Sequence, residues 1–520
     1  MSQATDEIRV EAPAFPRSAG SRFLRGIGSN VIGQAISAAS SLLLVPLFLR
    51  AWGPDVYGRW ISLTAFSSYL TLLDLGGQNF IGNVLTEKYV RGEYEEFRRT
   101  LSEGLSLFCG IAAAGLALMA ALLGLPHISA GHRILTLTPA DRVVLLCTGA
   151  AFLLAIPGGV YVTTYRATGR FARGTMIGNG ARLGGLVVFV ALLWMRVPPY
   201  VYAAASLAIG IATTLAVWID IRRGIPATRG VALNWSSAKC GMAHLKGSLY
   251  FWLLAISNAM NQQGVVLVLA LGGSRTAVAL YATHRTASGL IGYIGNLVQS
   301  PLWPELTFLH AKGRSDDLTR ISLLSIRLVG MLGACAAMGL WALLPIAYPL
   351  WTGKKLELNP ILLLIFLTQA VLAAGWTTSG WPLLASNQHN RLAGWALLNG
   401  CVTVALSAAL APHWGVIGVA VGSLTGDILC GAAPLPALLS RAFGMPLLSV
   451  FKSVVAPLAA LVPAWGAALL LGSWTRGPAE ILGLLAMSAM FLYPAGAMLS
   501  SDSSDLVWVW HKLMPAGAAK

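Results

Sequence analysis

Two arginines of this chain, Arg182 and Arg285, sit inside runs of residues that are otherwise apolar. An arginine near the centre of a membrane helix costs roughly 2.5 to 3.5 kcal/mol on insertion scales, so each must face water, a partner or a ligand rather than lipid. The guanidinium is a planar fork that pairs bidentately with phosphate oxygens. The chain also carries sets of side chains suited to hydroxyls: Asn30, Gln34, Ser37 and Ser41; Ser67, Thr71, Asp74 and Gln78; Asn258, Asn261 and Gln262; and, after Arg285, Ser288, Gly292, Asn296 and Gln299. Steps of three and four place the members of a set on one face of a helix. Thr175, Asn179 and Arg182 make a shorter stripe of the same kind. Arginine with amides and hydroxyls suits an anionic group joined to a polyol, and a phosphate-linked glycan meets both demands. The carboxylates Asp74 and Asp427 either balance the arginines as ion pairs or form a proton or sodium site that drives transport; the residues leave both readings open. Single polar residues such as Asn179, Gln369 and Asn399 read equally well as glue between helices, at about 0.6 kcal/mol each.

These side chains need membrane helices to carry them. With 56 % hydrophobic and 11 % charged residues and a mean hydropathy of +0.69, the chain reads as a polytopic membrane protein. Apolar runs long enough for a ~30 Å hydrocarbon core lie near 26–50, 58–83, 101–125, 143–165, 175–195, 199–221 and 249–272. Seven more lie near 277–301, 321–350, 360–385, 392–411, 415–438, 447–472 and 479–499. The expected fold class is all-α, with about 14 transmembrane helices in two six-helix lobes plus a terminal helix pair. A cytoplasmic segment 1–25 precedes the N-lobe, 26–221; a cytoplasmic linker, 222–248, joins it to the C-lobe, 249–438; the terminal pair occupies 439–499 and a cytoplasmic tail 500–520.

Placing the N-terminus in the cytoplasm puts 25 of the 36 Lys and Arg residues on the inner side and nine on the outer. That positive-inside bias predicts both termini in the cytoplasm. The formal net charge of +16 follows from this topology and from contact with anionic lipid. A soluble basic stripe interleaved with aromatics, which nucleic acid would require, is missing. The six cysteines stand singly and the eight histidines form no His-x-x-x-His pair, so neither a disulfide framework nor a metal site is expected. The longest outer loop, about 126–141, offers only His127, His132, Arg133 and Asp141, which read as interfacial residues. With no Gly-x-x-x-x-Gly-Lys loop either, the expectation is a carrier and not an enzyme.

A repeat supports the two lobes. Gly92, Glu95, Glu96, Phe97 and Arg99 recur 221 residues later as Gly313, Asp316, Asp317, Leu318 and Arg320, and Gln78, Leu85 and Thr86 recur as Gln299, Leu306 and Thr307. An even number of apolar segments separates the copies, so the halves form a parallel repeat, as in many carriers. The acids near the start of each loop copy suit a helix N-terminus; a gate between lobes is the other reading.

Val45-Pro46-Leu47-Phe48-Leu49, Gly53, Tyr57-Gly58, Leu73-Asp74-Leu75-Gly76 and the acidic residues after Gly92, with Leu280-Tyr281 and Arg285 in the second half, resemble the Wzx-type oligosaccharide-lipid flippases of the multidrug/oligosaccharidyl-lipid/polysaccharide exporter superfamily. The resemblance is strongest over residues 25–105 and weaker over 245–330. It implies a two-lobed carrier in the bacterial inner membrane that moves an undecaprenyl-diphosphate-linked oligosaccharide outward by alternating access. In that family, arginines at mid-depth line a cationic cavity, a position Arg285 matches; Arg182 follows no motif of the family. The basic cluster on helix 1 expected of lipid II flippases is missing, which favours O-antigen, capsule or exopolysaccharide over peptidoglycan. The implied partners are the polyprenyl-diphosphate-linked oligosaccharide, membrane lipids, a polysaccharide polymerase and glycosyltransferases. No cofactor is implied beyond proton or sodium coupling. The alternative is an ion-coupled multidrug or small-molecule antiporter. Facilitator-type carriers show Asp-Arg-x-Gly-Arg in the repeated loop, where this chain has Glu95 to Arg99.

Overall fold

The computed structural model describes residues 19–124, 137–242, 245–272, 274–311, 315–386 and 389–462, and all regular structure among them is helical. Nine stretches of these residues are long and apolar enough to cross a membrane, and two of them, of 63 and 54 residues, are each long enough to cross twice. At 1.5 Å per residue the shorter of the two would extend ~80 Å if straight. Both contain a glycine outside the helical region: Gly53 (φ 76°) bends α1 (Ala19–Ser68), and Gly415 (φ 55°) bends α13 (His389–Gly426). The pairs of spans expected at 26–50 and 58–83, and at 392–411 and 415–438, are therefore joined through tight bends rather than loops.

The expected helix 58–83 is not continuous. It gives way at Ser68 to a 3₁₀ turn, Tyr69–Asp74, and then breaks at Leu75 (φ 52°) and Gly76 (φ 72°) before α2 (Gly77–Val90) begins. The polar stripe of Ser67, Thr71, Asp74 and Gln78 consequently does not share one face. Ser67 is buried and hydrogen-bonds the Thr148 hydroxyl at 2.8 Å, Thr71 turns back to the Ser68 carbonyl, and Asp74 caps α2 by accepting from the Gln78 N–H at 3.1 Å.

The helices α3 (Tyr94–Gly124), α4 (Pro139–Ala167), α5 (Phe171–Trp194) and α6 (Pro199–Gly224) complete a first bundle with α1 and α2. A second bundle contains α8 (Leu245–Ala259), α9 (Val265–Leu271), α10 (Arg275–Ala311), α11 (Ser315–Thr352), α12 (Pro360–Ala385), α13 and α14 (Pro434–Phe443), with the short α15 (Leu447–Val455) against it. Two π-helical turns interrupt the second bundle, Met260–Gly264 between α8 and α9 and Asp427–Ala432 between α13 and α14. The linker is folded: α7 (Trp235–Gly241), capped by Asn234, lies on α3, where a Cβ on Gly241 would meet the Glu103 carbonyl at 2.6 Å. The expected helix 479–499, the end of 447–472 from residue 463, the segment 1–18 and the tail 500–520 lie outside the described residues.

Two seams join the bundles. The longer one runs between α1 and α10, and the shorter between the Tyr69–Gly76 region and α8. In terms of the repeat, the first span meets the eighth and the second meets the seventh.

The residues of the resembling motif build the closed end of the longer seam. Phe48, Trp52, Tyr57, Trp60 and Tyr202 form an aromatic cluster, and Gly58 lies so near the second bundle that a Cβ there would be 1.8 Å from the Arg275 carbonyl. Across it, Trp351 donates to the Leu42 carbonyl at 2.7 Å, Lys355 to the Leu49 carbonyl at 2.6 Å, and Arg275 pairs with Asp55 at 3.2 Å. The repeated acids begin α3 and α11: Glu95, Glu96, Asp316 and Asp317 occupy first turns, where the helix dipole favours them, and Phe97 and Leu318 behind them are fully buried. Beside the first copy, the ammonium of Lys88 donates to Glu93 at 2.7 Å and holds its carboxyl below the usual carboxylate range.

Candidate functional site

Beneath the closed seam the two bundles each enclose a cavity of about 790 Å³. Ser41 of α1 and Tyr293 of α10 line both, and their hydroxyls hydrogen-bond at 3.1 Å across the boundary.

The second-bundle cavity extends from Arg285 to Gln299 along α10, roughly 21 Å at the helical rise. Arg285 lies ten residues into α10. Its guanidinium donates to the Gln262 carbonyl at 2.5 Å and stands 5.6 Å from the centre of the Tyr281 ring. The carbonyl is offered by the first π turn, whose wider spacing removes a backbone group from the regular i to i+4 ladder. The second π turn opens on Asp427, whose carboxylate accepts from Gln369 at 2.7 Å and from Asn399 at 3.1 Å. Asn399 accepts in turn from Asn261 at 2.7 Å, and Gln369 also donates to Ser423 at 2.8 Å. Three more amides, Asn258, Gln262 and Asn296, line this cavity with no side-chain partner among the described residues, while Gln299 donates to Thr378 at 2.7 Å. Trp376 and Trp381 add aromatic wall.

The first-bundle cavity is chemically different. Besides the Tyr293 hydroxyl at the boundary, its hydroxyls belong to Ser37, Ser40, Ser41, Thr163, Thr213 and Thr214, and each of these six donates to a carbonyl of its own helix at 2.7 to 3.0 Å. The remaining lining is aliphatic, aromatic and glycine, apart from Gln78 and Arg182. Gln78 lies flat on α4, where a Cβ on Gly159 would be 1.7 Å from its side-chain oxygen. Arg182 is positioned indirectly. Asn179 is buried and donates to the Ser29 carbonyl at 2.8 Å, which pins α5 on α1. Arg182, about 60° round the helix at 3.6 residues per turn, then projects exposed along the cavity, with no hydrogen-bond or ion-pair partner among the described residues.

Of the sequence candidates, Arg285, Asn258, Asn261, Gln262, Asn296 and Gln299 thus line one cavity, and Arg182 and Gln78 the other. Gln78 and Gln299, equivalent in the repeat, line equivalent cavities. Asn30 and Gln34 line neither, and nor does Asp74. The ion-pair reading of the acids is corrected. Among the described residues neither Asp74 nor Asp427 has a basic group within 4.0 Å; one caps a helix and the other is held by amides. Asp141, an outer-loop candidate, pairs with Arg59 and closes a capping box with Thr138. His127, His132 and Arg133 lie outside the described residues. Ser423 and Tyr293 also line the second-bundle cavity, as do Tyr281, named only within the resembling motif, and Gln369, read in the sequence equally as glue between helices.

No protein-family model matches the chain. It is 23 % identical over 471 residues, 85 % of this chain and 88 % of the relative, to a Bacillus subtilis (strain 168) protein described as "Uncharacterized membrane protein EpsK". Among solved structures it resembles the lipid II flippase MurJ in an inward closed conformation, with a TM-score of 0.62, 12 % identity and coverage of 91 % of this chain and 99 % of that one. It also resembles an inward-facing multidrug transporter of the MATE family and MOP superfamily, with a TM-score of 0.59, 15 % identity and coverage of 84 % and 96 %. The fold is that of flippases and multidrug exporters. These neighbours are transporters rather than enzymes.

Proposed function

We propose that this chain is a flippase for a polyprenyl-diphosphate-linked oligosaccharide of surface polysaccharide biosynthesis, working by alternating access in a bacterial inner membrane. The observation that carries the reading is the second-bundle cavity, where Arg285 stands with an aromatic wall and three amides that have no side-chain partner among the described residues. Amides satisfy sugar hydroxyls, rings cover the apolar faces of sugars, and the guanidinium fork suits a phosphate. With the Lys- and Arg-rich side placed in the cytoplasm, the closed seam faces outward and both cavities open toward the inner side, where the substrate is loaded. Asp427 is the proposed coupling group: protonation or cation binding there redirects the amides of Gln369 and Asn399, and with them the second π turn. The multidrug-antiporter reading shares the fold; the arginine and the amides gathered in the second-bundle cavity favour a phosphate-linked glycan over it. Replacement of Arg285 by alanine should reduce surface polysaccharide about tenfold or more, the scale of a lost charge-assisted contact, while the protein stays in the membrane at its normal level. Unchanged polymer output from Arg285→Ala would remove the assignment.

A further inference from the structure

Arg182 and Arg285 line separate cavities, and the first-bundle cavity is the less polar of the two. In the first-bundle cavity the six Ser and Thr hydroxyls each donate to their own helix, leaving a mainly apolar chamber walled partly by Gly158, Gly178, Gly185 and Gly210, whose other polar groups are Gln78, the Tyr293 hydroxyl and the Arg182 guanidinium, which has no partner among the described residues. An apolar chamber with a single exposed cation complements an anion attached to a hydrocarbon chain. The Ser and Thr oxygens there can still accept but no longer donate, so a free sugar would find few donors, at a cost of about 1 to 3 kcal/mol for each buried polar group left unpaired. Glycine shapes the chamber: a Cβ at Gly178 or Gly210 would meet nothing within 4 Å, so both positions border open space.

We infer that the first-bundle cavity holds the isoprenoid chain next to the phosphate of the transported lipid, with Arg182 on that phosphate, while the glycan occupies the second-bundle cavity. The Ser41 to Tyr293 contact marks the boundary between the two parts of one substrate. This assignment rests on the flippase reading and adds that the lipid end is bound inside the protein, not left in the bilayer.

The test uses the full-length protein in lipid nanodiscs and a sugar-free probe, farnesyl phosphate bearing a diazirine on its chain, with crosslinks mapped by mass spectrometry. Labels are expected on α4, α5 and α6, displaced by unlabelled undecaprenyl phosphate but not by farnesol, inorganic phosphate or phosphatidylglycerol. Gly210→Leu fills the chamber and should cut labelling about tenfold, and Arg182→Ala should do the same through loss of the charge-assisted contact. Leucine is a better helix former than glycine, so the first variant keeps its fold, and Gly178→Leu gives an independent filling. Labels mapping elsewhere, or displacement by phosphatidylglycerol as readily as by undecaprenyl phosphate, overturn the inference. So does normal translocation of a lipid-linked oligosaccharide by Gly210→Leu and Gly178→Leu, and that result leaves the flippase reading standing. Chamber labelling in a protein that moves no lipid-linked oligosaccharide supports the binding site and defeats the flippase reading.

Discussion

The carboxylate of Asp427 receives one amide donor on each oxygen, from Asn399 and from Gln369. Asparagine has the same shape but offers a single acceptor oxygen and turns an N–H₂ group toward one of those donors. Losing a hydrogen bond to a charged group costs roughly 1.5 to 3 kcal/mol, so Asp427→Asn should slow gradient-driven transport about tenfold or more and flatten its dependence on pH and sodium. Proteoliposome uptake under imposed ion gradients measures this, and a wild-type response from the variant would take coupling away from Asp427. Asp427 stood out in the sequence as an acid in an apolar run. Its neighbourhood did not, since Gln369 and Asn399 lie 58 and 28 residues away and neither belongs to a stripe on its own helix. Periodicity detects polar residues that share a helix face, and this network is built across faces. The stripe after Arg285 was legible because α10 is a continuous helix, so Asn296 and Gln299 fall along one cavity wall as the spacing requires.

At the level of elements, the break after Asp74 shows where pattern reading fails. Gly76 has a φ of 72°, and a Cβ there would lie 2.6 Å from both the Ser248 carbonyl and the Trp252 N–H. The left-handed conformation alone costs a non-glycine residue about 1 to 2 kcal/mol, and the clash adds to it. Gly76→Ala should therefore lower the thermal midpoint of the purified protein by several degrees, read by a fluorescence melt in detergent. An unchanged midpoint would mean that the α8 seam yields easily. The apolar run 58–83 is long enough for one span, and hydropathy averages over the 3₁₀ turn and the two left-handed residues, so the run alone implied an unbroken helix. Only Leu75-Gly76 hinted at the stop. The π turns are similarly hidden, because they add a residue to a helix without changing its composition.

For the whole molecule, the proposed flippase reading requires the seam between the sealed end and the two cavities below it to part once per cycle. Asp55 and Arg275 meet across it at the surface, 44 % to 61 % exposed, where an ion pair adds little stability of its own. A cysteine pair at these positions, Asp55→Cys with Arg275→Cys, reports the motion once the exposed native Cys240, Cys335 and Cys401 are replaced. Crosslinking should arrest transport and reduction should restore it, whereas transport at full rate in the crosslinked protein would exclude an opening at this end. The two-lobed plan was legible from the repeat; the unlike chemistry of the two cavities was not, because Ser37, Thr213 and Thr214 look as polar in sequence as Asn258 and Asn296 until their hydroxyls are seen to close on their own helices. The central claim is most directly tested by reconstituting the purified protein into liposomes containing a polyprenyl-diphosphate-linked oligosaccharide and following the glycan's accessibility to an enzyme added outside. The account predicts protein-dependent translocation that falls about tenfold or more in Arg285→Ala, on the scale of a charge-assisted contact; an absence of translocation by the wild-type protein, or an equal rate in the variant, would contradict it.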